Sequence, residues 1–299
     1  MALVSDAPAA GQKTERIARS PFSEFRRRFV TRLGALAAGF FLLVMLLVAL
    51  AAPWILPFGP DEFDYKNTLS APSAIHWAGT DEFGRDIFAR ILNGAKLSMF
   101  IGFVSVTIGA VIGVIAGLLA GYYGGWLDSI VMRVADVLFA FPGILLAIGI
   151  VAILGAGLTN VIIAVAVFSV PAFARIVRSG TLGLKETTYV EAARAAGASN
   201  VIIMFRHILP GGLGAVIVYF TMRIGTSILT ATSLSFIGLG VEPSIAEWGA
   251  MLSTGREYML AGKWHLTFFP GLAIFLTVLC FNILGDGLRD ALDPKLDDN

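Results

Sequence analysis

Thr187-Thr188-Tyr189-Val190-Glu191-Ala192-Ala193-Arg194-Ala195-Ala196-Gly197-Ala198-Ser199-Asn200 reads as a helix, a stop and a second start packed into one short stretch. Thr187 or Thr188 can cap the first helix through its hydroxyl, and the alanine-rich run that follows is a strong helix former. Gly197 ends that helix by taking the left-handed conformation that residues with a Cβ avoid. Ser199 or Asn200 then caps a second short helix running to Phe205. Pro210 opens a further helix at its first turn, where a missing N–H costs nothing. Small side chains at Ala192, Ala193, Ala195 and Ala196 allow a close seat in a groove, so the element is either a docking surface or an ordered linker.

Working outward, this polar stretch lies between long apolar runs. About 20 consecutive apolar residues cross a bilayer. Six runs qualify: 33–56, 97–121, 129–154, 159–176, 211–234 and 266–284. They are too long for strands and lack strict alternation, so all six read as helices. Of the 299 residues, 57% are hydrophobic and 14% charged, against about a quarter charged in a soluble domain. The charges fall in short clusters between the runs. With a net charge of +1 and no basic domain, nothing points to nucleic acid. The first run begins too late and is too long for a signal peptide, which predicts a retained helix.

Basic residues set the expected orientation. Of the 22 lysines and arginines, fifteen fall in the N-terminal tail, the second-to-third and fourth-to-fifth connections and the C-terminal tail. Six fall in the two remaining connections, and Arg223 lies inside the fifth run. Both termini are therefore expected in the cytoplasm, with segments 57–95 and 238–265 facing outward as docking surfaces.

Within the runs, Gly109, Gly113, Gly117 and Gly121 form a stripe spaced by four that lets another helix approach closely. Pro142-Gly143, Pro171 and Pro270-Gly271 bend their helices, either as hinges or as static kinks. Arg223, thirteen residues past Pro210, is a charge at membrane depth and hence a functional candidate. It lines the path, holds an interface, snorkels, or meets a structural partner, and Ser227 and Ser233 share its helix. Asp136, three residues after Arg133, is expected to form a local ion pair with it. Cys280 is a lone thiol in an apolar run, and His76, His207 and His265 fit no metal-ligand spacing. No phosphate-cradling loop is present, because Gly262-Lys263 lacks the upstream glycine spacing.

Glu191-Ala192-Ala193, Gly197 and Leu209-Pro210 resemble the EAA motif of ABC-importer permeases, although His207 stands where isoleucine is usual and Ile208 follows it. Gly79-Thr80-Asp81-Glu82-Phe83-Gly84-Arg85-Asp86, Ser233-Leu234-Ser235-Phe236-Ile237-Gly238-Leu239-Gly240, Glu247-Trp248-Gly249-Ala250-Met251-Leu252 and Gly285-Asp286-Gly287-Leu288-Arg289-Asp290-Ala291-Leu292-Asp293-Pro294 are similar to the second permease of dipeptide, oligopeptide and nickel systems. The run from Val137 to Ile148 is similar to the glutathione-importing type. The resemblance implies an all-α membrane protein with about six transmembrane helices, in the type I ABC importer permease fold, located in a bacterial inner membrane. It implies a tail at 1–32, a first helix and periplasmic loop at 33–94, a permease core at 95–292 with the coupling loop at 186–210, and a tail at 293–299.

It further implies partners: a second homologous permease, two nucleotide-binding ATPase subunits and a periplasmic or lipid-anchored substrate-binding protein. No cofactor is expected on this chain, with ATP and Mg on the ATPase subunits. Glu191, Ala192, Ala193 and Gly197 are expected to couple to the ATPase. Arg223, Ser227 and Ser233 are candidates for the path or interface. Asp81, Glu82, Arg85, Asp86, Glu247 and Trp248 are candidates for docking the binding protein. The substrate order is glutathione, dipeptide, longer peptide, nickel complex. An ATP-independent carrier or a membrane enzyme is the rival reading. A carrier would need charged or polar rings inside the helices, and no Cys/His pair or His-Glu-x-x-His site supports an enzyme.

Overall fold

The computed structural model describes residues 21–292; Lys13, Arg16, Arg19 and the C-terminal segment with Lys295 lie outside them. A short helix α1 (Pro21–Val30) precedes α2 (Leu33–Ile55), α3 (Ile87–Tyr123), α4 (Gly125–Ala140), α5 (Gly143–Leu154) and α6 (Leu158–Leu184). Then come α7 (Thr188–Ala195), α8 (Asn200–Ile202), a π-helical segment (Ile203–Ile208), α9 (Leu209–Phe236), α10 (Trp248–Gly255) and α11 (His265–Leu292). Among the described residues, five stretches are long and apolar enough to span a membrane, and α4 with α5 makes a sixth as a broken span.

The centre of the bundle is the α3–α6 pair. A Cβ placed on Gly109 would come within 2.8 Å of Ala166 O, and one on Gly113 within 2.6 Å of Val170 O. Gly117 and Gly121 lie equally close to Ala174 and Thr181. The stripe therefore brings backbone against backbone, as its spacing predicts. At the other end of α3, Gly102 admits Ile228 of α9. Helix α2 packs on α3 and α11 through Leu42, Ala49 and Ala52, leaving Phe40, Leu43 and Leu47 exposed.

Three spans differ from their sequence reading. The second starts at Ile87, ten residues before the apolar run, because the Asp86 carboxylate caps it by accepting from Ala89 N at 2.7 Å. At 1.5 Å per residue, 37 residues extend about 55 Å, well beyond a ~30 Å hydrocarbon core. The third is not one helix: α4 and α5 meet at 94°. Pro142 lacks an N–H and disfavours helical geometry in the residue before it, and Phe141 is accordingly extended at φ −95°, ψ 138°. Pro171 and Pro270, by contrast, sit inside unbroken helices. The fifth span continues without a break from Asn200 to Phe236. The wider π-helical turn at Ile203–Ile208 precedes Pro210, so proline enters a continuing rod and does not open a new one.

Asp136 also differs. Its partner is Arg175 of α6 at 2.5 Å, across helices, and not the neighbouring Arg133.

Candidate functional site

At one end of α3, segment 57–86 folds over 238–264 to form a cap. Asp81 is its knot. Asp81 Oδ1 accepts from the N–H groups of Phe83 and Arg85, both at 2.9 Å. Asp81 Oδ2 pairs with Arg85 Nε at 2.6 Å and Arg90 Nε at 3.6 Å. Both arginines reach across to donate to Ser244 O, at 3.4 and 3.3 Å, and Arg90 also donates to Pro60 O and Asp61. His76 Nδ1 contacts Asp86 Oδ2 at 2.9 Å. In the second segment, Glu247 Oε2 caps α10 by accepting from Ala250 N at 2.9 Å, and Ser98 of α3 donates to Oε1 at 3.2 Å. Trp248 Nε1 donates to Ile91 O at 3.0 Å.

Burial sets these residues apart from the exposed surface of the cap. Asp81, Arg85, Asp86, Glu247 and Trp248 are buried, Trp248 completely, and Glu82 is only partly exposed. A buried charge must be paired or it is costly, so Asp81, Arg85, Asp86 and Glu247 hold the cap together through the contacts above. Burial pushes the Glu82 and Glu247 carboxyls above the usual carboxylate range. The cap exposes a group of aromatic rings: Phe63 stacks on Tyr65 at 5.7 Å and meets Phe83 edge-on at 6.0 Å. Arg90, Ser98 and His265 also tie into the cap, through Asp81, Glu247 and Thr80 O respectively, and escape the sequence reading. The early helix start that buries Arg90 and Ser98 is visible only through the Asp86 cap.

At the opposite end of α3, the Glu191 loop is built on different terms. Gly197 has φ +83°, and no atom lies within 4 Å of a Cβ placed there, so conformation alone requires glycine. Gly197 N donates to Arg194 O and Ala198 N to Ala193 O, both at 3.0 Å, the paired bonds of a Schellman cap. Ser199 caps α8 by accepting from Ile202 N at 3.4 Å. Beneath α7, Val190 is fully buried with Leu118, Val177, Ile203, Met204 and Ile208. Tyr122 donates to Asn200 Oδ1 at 2.7 Å, and Tyr189 donates to His207 O at 3.3 Å. Glu191, Ala192, Arg194, Ala195 and Ala196 are exposed and Ala193 is half-buried. Helix, turn and second helix fall as read, the second running on into the fifth span, but Thr187 stands at the N-cap of α7 without a side-chain cap, its hydroxyl donating instead to Leu184 O at 2.5 Å.

Between the two ends, Arg223 is the fifteenth residue of the 28 in α9, at mid-span. It donates from Nε to Ser169 Oγ at 3.2 Å and stacks over Phe168 at 4.4 Å. The structure separates the three path candidates. Ser227 is buried, and its hydroxyl finds no hydrogen-bond partner. Ser233 borders a largely apolar cleft of about 670 Å³ between α5, α9 and α11. Thr226 and Thr230, not Ser227, share the unburied side of α9 with Arg223.

A polytopic helical chain with a capped surface loop before its fifth span and a folded cap at the other end is the architecture of an importer permease. Residues 113–298 match the family described as binding-protein-dependent transport system inner membrane component, and the chain belongs to that family. Residues 20–72 match the N-terminal transmembrane domain of oligopeptide transport permease C.

Curated relatives include the glutathione transport system permease proteins GsiD of Pectobacterium atrosepticum, Escherichia coli O157:H7 and Shigella flexneri serotype 5b. They are 54%, 57% and 58% identical, each over 93% of this chain and 92% of the relative. Two solved forms of the MetNI methionine ABC transporter in inward-facing conformations share the fold. Their TM-scores are 0.56 and 0.52 at 22% identity, covering 69% and 68% of this chain and 98% and 96% of theirs. The chain is thus a multi-pass inner-membrane transport component, not an enzyme in its own right.

Proposed function

We propose that this chain is one of two permeases in an ATP-driven importer of small peptides, with glutathione the first substrate. One observation carries the reading. A capped helix presents Glu191 and Ala192 to solvent from a fixed apolar socket, in a chain 54–58% identical to glutathione transport permeases. A second, similar permease completes the membrane path. Two nucleotide-binding subunits hold ATP and Mg, and a periplasmic or lipid-anchored binding protein delivers the peptide. The excess of basic residues in the tails and the even-numbered connections supports cytoplasmic termini, a cytoplasmic Glu191 loop and an outward cap.

In this reading the first helix and its following loop, 33–94, form an addition to a core at 95–292. The binding protein docks on the exposed aromatics Phe63, Tyr65 and Phe83, over a cap that Asp81 and Glu247 keep rigid. ATP closes the nucleotide-binding subunits on α7. Glu191 gives them a charge-assisted hydrogen bond, Ala192 and Ala193 allow close approach, and Gly197 holds the turn. Val190 and Tyr189 pass the displacement to α3, α6 and α9. ATP drives the cycle because it binds one arrangement of this assembly better than the other.

The test is a mild-detergent pull-down from native membranes, with mass spectrometry and an ATPase assay. A second six-helix permease and ATPase subunits are expected, fewer with Glu191→Lys. Recovery of the chain alone, or as a homo-oligomer without ATPase activity, overturns the reading.

A further inference from the structure

Arg223 has no acidic partner among the described residues, although it stands at mid-span in α9, about 20 Å from either end of that helix. Another cation in the bundle is treated differently. Arg175 of α6 is paired with Asp136 at 2.5 Å and stacks over Phe139 at 4.4 Å. Arg223 has the stacking without the acid: Phe168 holds the guanidinium plane at 4.4 Å and Ser169 takes Nε at 3.2 Å. A long 3.5 Å bond runs from Nη1 to Thr226 Oγ1. The fork is thus fixed in place while donors remain for an anion, the geometry that suits a carboxylate.

Three further polar residues continue from it. Arg223, Thr226, Thr230 and Ser233 are spaced by three, four and three, so they lie along one side of α9, and none is buried. Their hydroxyls donate back to the helix, Thr226 to Arg223 O at 3.0 Å, Thr230 to Thr226 O at 2.9 Å and Ser233 to Leu229 O at 2.8 Å, which leaves their oxygens as acceptors. The Arg223 cation beside them is costly against lipid and is found where a helix faces water or a polar path. Phe168 also packs on Gly143, at the 94° break between α4 and α5, which places Arg223 beside the one broken span.

We infer that Arg223 is the carboxylate-binding residue of the transport path, holding the carboxylate of a peptide in transit while Thr226, Thr230 and Ser233 carry its polar backbone along α9. The inference rests on the peptide-importer reading. Every unmodified peptide ends in a carboxylate, and glutathione carries two, so a cation at mid-span offsets the charge that an apolar path would reject.

The test uses the complete importer in proteoliposomes with saturating, peptide-loaded binding protein. Arg223→Gln is expected to lower the maximal uptake rate about tenfold or more, the worth of one charged hydrogen bond. ATPase activity should still be stimulated by the loaded binding protein, and assembled complex should be recovered in normal yield. Arg223→Lys should retain uptake within about threefold, since a point charge still attracts the carboxylate.

Uptake by Arg223→Gln at the wild-type rate overturns the inference. So does a loss of assembled complex in both variants, which would mean that Arg223 pairs with a neighbouring subunit. A wild-type complex that takes up no peptide overturns the importer reading, and the inference with it.

Discussion

The cap and the Glu191 loop stand at opposite ends of α3 and are made from opposite materials. The cap buries a set of charges: Asp81 pairs with Arg85 and Arg90, Asp86 with His76, and both arginines donate to Ser244 O of the second segment. The loop turns its charges outward and is held from below by Val190, Ile203, Met204 and Ile208. In an irregular segment, buried ionic hydrogen bonds supplement the apolar contacts of Leu69, Ala78, Trp248 and Met251, and the side chains that make them turn away from solvent. A helix with one apolar side needs no such adhesive and keeps its polar side for contact. Substitution of an acid should therefore unfold one region and leave the other folded but silent.

The largest effect expected is at Asp81. Asp81→Ala leaves Arg85 and Arg90 buried without their shared carboxylate, a loss of about 3–5 kcal/mol for a broken buried pair. Thermal unfolding in detergent should show a markedly less stable protein, with reduced abundance in membranes. Stability equal to wild type would mean that the cap is not held by its charges.

Next is Gly197→Val, which forces a β-branched residue to φ +83° at a cost of about 1–2 kcal/mol or somewhat more. Because a Cβ there meets no neighbour, the strain falls on the turn alone. The assembled transporter should hydrolyse ATP without importing peptide. Gly197→Asn, which tolerates the left-handed region, should keep most uptake. Unchanged uptake in the valine variant would count directly against α7 as a lever.

A smaller effect, dependent on pH, separates the regions further. Burial raises the Glu247 carboxyl above the ordinary 4.5, so the folded cap holds this proton to higher pH than the unfolded chain does. The stability it contributes is complete below 4.5 and declines as pH rises through the folded-state value. Glu247→Gln keeps an acceptor for Ala250 N but cannot ionise. The stability of wild type relative to this variant should fall with rising pH from 4.5 and then level off. A difference that stays flat across the range would show that burial does not perturb the carboxyl.

How far the sequence was legible follows the same division. The number of apolar runs, the glycine stripe and the turn at Gly197 depend on run length, spacing and local conformation, and a single sequence shows all three. The break at Pro142 was legible as a bend but not as a right angle, because its size depends on what Phe168 and α5 pack against. The burial of the cap's charges is not legible, for a physical reason. Runs such as Asp81-Glu82-Phe83-Gly84-Arg85-Asp86 look like surface because charges are usually solvated, and their burial depends on Ser244 and Arg90 arriving from elsewhere in the chain. Asp136 was misassigned likewise, since a residue three positions away was visible and Arg175 was not. Thr226 and Thr230 were legible in principle, as polar residues at helical spacing from Arg223.

The smallest effect on stability should be the most informative. Glu191 is exposed in the first turn of α7, where a negative charge gains only a little from the helix N-terminus. Glu191→Lys should therefore cost less than about 1 kcal/mol, within the range of surface substitutions. Thermal unfolding should barely move, while ATPase subunits recovered in the pull-down should drop. That pairing is the reverse of Asp81→Ala, where folding fails first and any loss of partners follows from it. If Glu191→Lys instead lowers stability as far as Asp81→Ala does, the carboxylate serves the fold and the loop is an ordered linker. If stability and recovery are both unchanged, the coupling contact rests on the small side chains of Ala192 and Ala193, and bulky substitutions there become the sharper probe.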